Sequence, residues 1–130
     1  METTLRDRLR RIADRSTLQV THIGRKSGKA YQVTTWFVVD RDVILLPTSN
    51  TNRNWVRNLR KSSRVELAIR SERFVGSAKF LENQEDRDRV LAMVKRKYAV
   101  ATPYMLIARM LAMIGVGKID FGAFEVSLSG

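Results

Sequence analysis

Cysteine is absent from this 130-residue chain, and histidine occurs once, as His22. The first absence removes disulfides, thiolate nucleophiles and sulfur-ligated zinc together. The second leaves little for a hydrolytic triad, and no Gly-x-Ser-x-Gly elbow is present. His22 lies within a β-like run and reads as a structural side chain. Acids are scarce: 13 against 24 lysines and arginines, a formal charge of +11. Those acids are scattered as Asp40 with Asp42, Glu82 with Glu85 and Asp86, then Asp120. They read as solvated turn and cap residues, so no metal site and no catalytic carboxylate pair is expected. Long apolar runs are missing too. The longest, residues 104–116, is broken by Arg109 and is too short to span a bilayer.

What is present is a chain of one-domain length with 44% hydrophobic residues, enough to build a core. One domain over residues 1–130 is expected. The excess of cations says little about fold and much about partners, which should be anionic. A basic nucleic-acid-binding domain is the least favoured of these readings. The cations are not interleaved with exposed aromatics, and no helix-turn-helix or RNP-like signal appears. The first six residues lack the apolar core of a signal peptide, so a cytoplasmic location is expected.

Periodicity places the elements. Leu5, Leu9 and Ile12 recur at helical spacing within residues 3–15, giving an amphipathic N-terminal helix over 1–16 that packs as a lid or lies on a membrane surface. Residues 18–23, 31–39 and 43–46 read as strands of an antiparallel meander. A polar loop, 49–54, leads into a short helix with Trp55, Val56 and Leu59 on its buried side and Asn52 as its N-cap. Residues 64–70 and 73–81 alternate apolar with polar positions, as strands do. Residues 85–98 form a helix whose acids gather in the first turn and whose cations gather in the last. Thr102-Pro103 opens another helix, ended by Gly115 or Gly117. Residues 121–128 close the chain as a sixth strand. The fold class is therefore mainly β with inserted helices, a six-stranded antiparallel barrel. The apolar 104–116 face suits a homodimer partner or peripheral membrane contact.

The densest chemical signal is Gly24-Arg25-Lys26-Ser27-Gly28-Lys29, between the first two strands. Two glycines allow an unusual turn, and its amides and cations converge as an anion cradle. It is not a P-loop: three residues separate the glycines, Ala30 follows Lys29, and a strand rather than a helix comes next. Read together, Thr21 to Lys29, Thr48-Ser49-Asn50 and Asn54-Trp55-Val56-Arg57-Asn58-Leu59-Arg60 resemble the deazaflavin-dependent nitroreductase family. The resemblance covers roughly residues 18–128, and the basic turn and the Trp-x-x-Asn-Leu segment are its most specific parts.

That resemblance implies a split β-barrel of the FMN-binding type, and an oxidoreductase that passes a hydride from reduced coenzyme F420 to a quinone, nitro compound or similar small-molecule electron acceptor. The cofactor carries the hydride, so no catalytic side chain is required. Relatives on the same barrel bind FMN, FAD or haem instead. The coenzyme's phosphodiester and polyglutamate tail would suit a surface at +11. Lys26 matches the family's phosphate-holding lysine, with Arg25, Ser27 and Gly28 completing the turn. Thr48, Ser49 and Asn50 match the segment beside the deazaflavin ring, and Arg53 matches a cation for the tail or phosphate. Trp55 and Leu59 match anchoring positions, and Asn58 a position that ties the loop. Tyr98 and Tyr104 fall where the family lines its substrate pocket, although both also suit core positions with a polar tip in water. The chain departs from the family at Tyr31, where an arginine is usual, at Thr34 or Thr35, where a proline is usual, and at Val56, where a tyrosine is usual.

Overall fold

In the computed structural model, residues 4–101 and 121–129 are described, with backbone alone for 99–101. The expected helix over 102–117, and Tyr104 with it, lie outside the described residues. Thr4 opens helix α1 (Leu5–Ile12) with a capping box: its hydroxyl accepts from the Asp7 amide, and the Asp7 carboxylate accepts from the Thr4 amide. Leu9 and Ile12 are buried on the domain, while Arg8 donates to Glu72 at 2.8 Å and to the Arg73 carbonyl at 2.6 Å. The helix is thus a packed lid.

Seven strands follow, one more than expected. They are β1 (Thr17–Ile23), β2 (Ala30–Trp36), β3 (Val38–Asp40), β4 (Val43–Thr48), β5 (Arg64–Ile69), β6 (Glu72–Phe80) and β7 (Gly122–Ser129). Between them lie α2 (Asn54–Lys61), after β4, and α3 (Gln84–Ala101), after β6. The extra strand arises because the apolar run 31–39 breaks at Phe37. Nothing in its composition marks the break, since Phe37 is itself a good strand former. All pairings are antiparallel, in the order β2-β1-β5-β6-β7-β4-β3. The two outer strands, β2 and β3, are consecutive in the chain and separated only by Phe37. The sheet must therefore curl until its edges meet at that residue, which makes it a split β-barrel.

The corner is held by α3. Tyr98 is buried, stacks on Trp36 with ring centroids 4.0 Å apart, and its hydroxyl bridges the chain. That hydroxyl donates to the Ser16 carbonyl at 2.7 Å and accepts from the Phe37 amide at 3.1 Å. Lys97 Nζ donates to the Phe37 carbonyl at 2.7 Å and lies 3.7 Å over the Phe37 ring. Tyr98 is thus a core residue with its polar atom satisfied by backbone, not a side chain facing an open groove.

Two apolar clusters result. The barrel interior holds Val20, Phe37, Ile44, Leu46, Val65, Leu67, Phe74, Phe124 and Val126, joined by Leu9 and Ile12 of α1 and by Trp55, Val56 and Leu59 of α2. A second cluster outside the barrel packs Val90, Val94 and Tyr98 of α3 on Val38, Leu45 and Ala123. β4 is therefore buried on both faces, the physical reason for its unbroken Val-Ile-Leu-Leu run. At the β6–β7 contact a Cβ on Gly76 would collide with the Ser127 carbonyl oxygen, so only glycine fits there. Among the described residues no helix is long and apolar enough to cross a membrane.

Burial pushes the Tyr98 phenol up to about 12 and the Lys97 ammonium down to about 8. Between pH 8 and 10.5 the folded chain sheds the Lys97 proton before the unfolded chain does, so stability rises with pH. Between pH 10 and 12 the unfolded chain loses the Tyr98 proton first, so stability falls. Tyr98→Phe should cost about 1–3 kcal/mol, by orphaning buried backbone groups, and should abolish that alkaline fall. Urea titrations across the pH range read both effects; an unchanged alkaline limb in the variant would refute the assignment.

Candidate functional site

The six residues between β1 and β2 close on themselves. The Gly24 amide donates to the Lys29 carbonyl at 2.8 Å and the Gly28 amide to the Gly24 carbonyl at 2.9 Å. Gly28 takes φ +72°, a conformation L side chains rarely adopt. Ser27 Oγ accepts from the Lys29 amide at 3.2 Å and pairs with the Tyr31 hydroxyl at 3.2 Å. Lys26 and Lys29 are exposed and carry no hydrogen bond or ion pair through their side chains among the described residues. The amides of Lys26 and Ser27 have no backbone partner in the turn. Free donors and free cations thus share one tip.

The tip is not left to wander. Asn58, buried in the middle of α2, presents Oδ1 to the Arg25 amide at 3.1 Å and to the Arg25 Nη1 at 2.8 Å. Its Nδ2 lies 3.0 Å from His22 Nδ1. An amide nitrogen can only donate, so His22 Nδ1 accepts and the ring proton sits on Nε2. Burial lowers the His22 pKa below its ordinary 6.5, which keeps the ring neutral in that role. Lys61 adds a weak donor to the Arg25 carbonyl at 3.4 Å. Asn58 therefore ties the β1–β2 turn to α2, rather than the 49–54 loop. Arg25 spends one guanidinium donor on that tie and keeps the others.

The second segment precedes α2. Thr48 ends β4, opposite Gly122 of β7, and is buried. Its hydroxyl donates to the Asn50 carbonyl and accepts from the Asn50 amide, each at 3.1 Å. Asn50 Oδ1 accepts from the Asn52 amide at 2.9 Å. The N-cap of α2 is Arg53 rather than the expected Asn52, and it makes no side-chain cap bond. The helix begins at Asn54, so Asn52 falls one residue before the cap, in the loop, where its amide donates to Asn50 Oδ1. The α2 N-terminus therefore keeps free amides, beside exposed Arg53 and Arg57. Five residues of helix separate Arg53 from Asn58, about 7–8 Å along its axis. The turn and the loop thus belong to one surface organised by α2.

Of the expected residues, the structure brings together Arg25, Lys26, Ser27 and Gly28 in one turn and Thr48, Ser49, Asn50 and Arg53 in a neighbouring loop. Tyr98 stands apart from them, in the core. The His22–Asn58–Arg25 chain was half visible in sequence: the asparagine stood out, but the histidine looked idle because its partner lies 36 residues away. Among the described residues no cluster of His, Cys, Asp or Glu could hold a metal ion.

The family model for F420H(2)-dependent quinone reductase matches residues 6–113. No curated protein matches the chain. Among solved structures, a conserved hypothetical protein from Mycobacterium tuberculosis is similar at 18% identity and TM-score 0.71, over 95% of this chain and 79% of its own. A structure described as an F420 reductase is similar at 14% identity and TM-score 0.63, over 92% of both chains. One described as an F420-H2 dependent reductase is similar at 19% identity and TM-score 0.63, over 86% of this chain and 94% of its own. At these identities the structures speak for the split-barrel fold.

Asn58→Ala should destabilise the fold by about 1–3 kcal/mol, because it orphans the buried His22 ring nitrogen and the Arg25 amide. Hydrogen exchange at the Arg25 amide should accelerate in parallel. A separate acid limb is expected in the unmodified protein. Its neutral, buried His22 must hold off a proton that the unfolded chain accepts, so stability should fall as pH drops below about 6.5. Denaturant midpoints that stay level from pH 7 to 5 in the protein and in His22→Gln alike would contradict this.

Proposed function

Because the chain belongs to the F420H(2)-dependent quinone reductase family, we propose that it transfers a hydride from reduced coenzyme F420 to a quinone, nitro compound or similar electrophile. Coenzyme F420 is the cofactor on which that family depends. When bound, its reduced deazaflavin supplies the hydride that the electrophile accepts, so the protein's task is binding, orientation and exclusion of water.

The observation that supports the reading is the turn at Lys26. Its free amides, free cations and Asn58 tether form a preorganised site for a phosphodiester, and such charge-assisted bonds are the strong ones. In this reading Lys26 holds the phosphate, with Arg25's remaining donors and the Ser27 amide completing the grip, while Gly28, whose amide closes the turn, gives it its shape. Arg53, at the uncapped start of α2, meets the acidic tail or the phosphate. Thr48, Ser49 and Asn50 lie beside the ring and act through backbone, since the Thr48 hydroxyl is already used within the loop. Tyr104 keeps the role of lining the acceptor pocket. Exposed cations also steer a polyanionic ligand towards the surface.

A side-by-side titration of purified protein with F420, FMN and FAD tests the cofactor. F420 should bind most tightly, and tighter FMN or FAD would overturn the reading. Lys26→Ala should weaken F420 by about 1.5–3 kcal/mol, roughly ten- to a hundredfold, without shifting the melting temperature. Oxidation of reduced F420 on addition of a soluble quinone, followed by absorbance, tests the acceptor class separately.

A further inference from the structure

A second basic feature lies at the other end of β1. Six residue steps of strand, about 20 Å, separate Thr17 there from Ile23 at the turn. The start of β1 and the β5–β6 hairpin form a cleft of about 460 Å³, with Arg15, Thr17, Gln19, Thr34, Arg70 and Arg73 in its lining. Its three guanidinium groups are poorly matched. Arg15 Nε is buried without a hydrogen-bond partner among the described residues, and the Asp14 carboxylate is 4.0 Å away. Arg70 and Arg73 form no side-chain hydrogen bond or ion pair among the described residues. The acid on the same hairpin, Glu72, is taken by Arg8 at 2.8 Å and by Arg11 at 3.6 Å. Nearby negative charge is therefore spent elsewhere.

Ile69 pairs with Glu72, so Arg70 and Ser71 make a two-residue hairpin, and Arg70 sits at φ +53°. Glycine or asparagine suits that position better than arginine. Arg41 takes the same conformation, φ +57°, in the turn between β3 and β4, so the strain by itself marks no site; it makes Arg70→Gly a variant that removes the side chain without straining the backbone.

We propose that this cleft is a second anion site, taking the carboxylate or phosphoryl group of a small molecule. Guanidinium donors bind such groups two oxygens at a time, and Thr17, Gln19 and Thr34 add neutral donors around them. The site is separate from the turn that the proposed cofactor uses, so either assignment can fail without the other.

Amide-resolved NMR titrations with inorganic phosphate and with citrate test it. Saturable shifts at Thr17, Gln19, Thr34 and Arg70 support the site, and the tighter of the two probes tells phosphoryl from carboxylate. Arg70→Gly should weaken these shifts about tenfold or more while leaving the melting temperature unchanged or higher. Arg73→Gln should weaken them independently. Lys26→Ala should leave them intact. Phosphate felt only at residues 24–29 would overturn the proposal. So would weak, unsaturable shifts spread over surface arginines and erased by physiological salt, the mark of an adventitious ion only.

Discussion

The edges of a sheet must go somewhere, and here a single residue decides where. β2 and β3 are the two outermost strands of a seven-stranded sheet, yet only Phe37 separates them in the chain. That forces the sheet to curl into a barrel, and the seam needs a clamp. α3 supplies it through Tyr98, whose hydroxyl joins the approach to β1 to the corner, and through Lys97 on the Phe37 carbonyl. The clamp is polar, with Tyr98 buried and Lys97 half-buried, which is why both side chains have displaced pKa values. The fold tolerates them because their polar atoms are paired with backbone.

α2 is the functional counterpart of that clamp. One face seats Trp55, Val56 and Leu59 in the barrel interior. Asn58 on the same short helix catches the β1–β2 turn, and the uncapped first turn carries Arg53. Burial therefore does two jobs at once: it anchors the helix and makes the turn's geometry a property of the core. A cation on a free hairpin tip would lose more conformational entropy on binding an anion. One on a tethered turn has already given up much of it in folding.

Much of this was legible in the chain. Alternation located β5 and β6, the acids Glu85 and Asp86 located the start of α3, and the glycine-bracketed cations located the turn; the cations 95–97 stop short of the end of α3, whose last turn holds no basic residue. The Trp-x-x-Asn-Leu segment pointed to α2 and to the asparagine's tie. Other features were hidden for physical reasons. The break at Phe37 is imposed by closure, not by local propensity. The cap of α2 falls at Arg53 rather than Asn52 because the helix starts only at Asn54, after a loop held by the Asn50 side chain. Tyr98 read equally well as a pocket residue or a core residue, since both want a ring with a polar tip.

Composition, charge and short motifs were enough to indicate a basic, mainly β domain without cysteine, carrying a glycine-bracketed basic turn. Those properties are local or additive, so they survive in a linear string. The strand count, the seam, the neutral His22 and the cleft among Arg15, Arg70 and Arg73 were decided only in three dimensions. Each depends on groups far apart in the chain meeting at hydrogen-bond distance or sharing one surface, and no local pattern records that meeting.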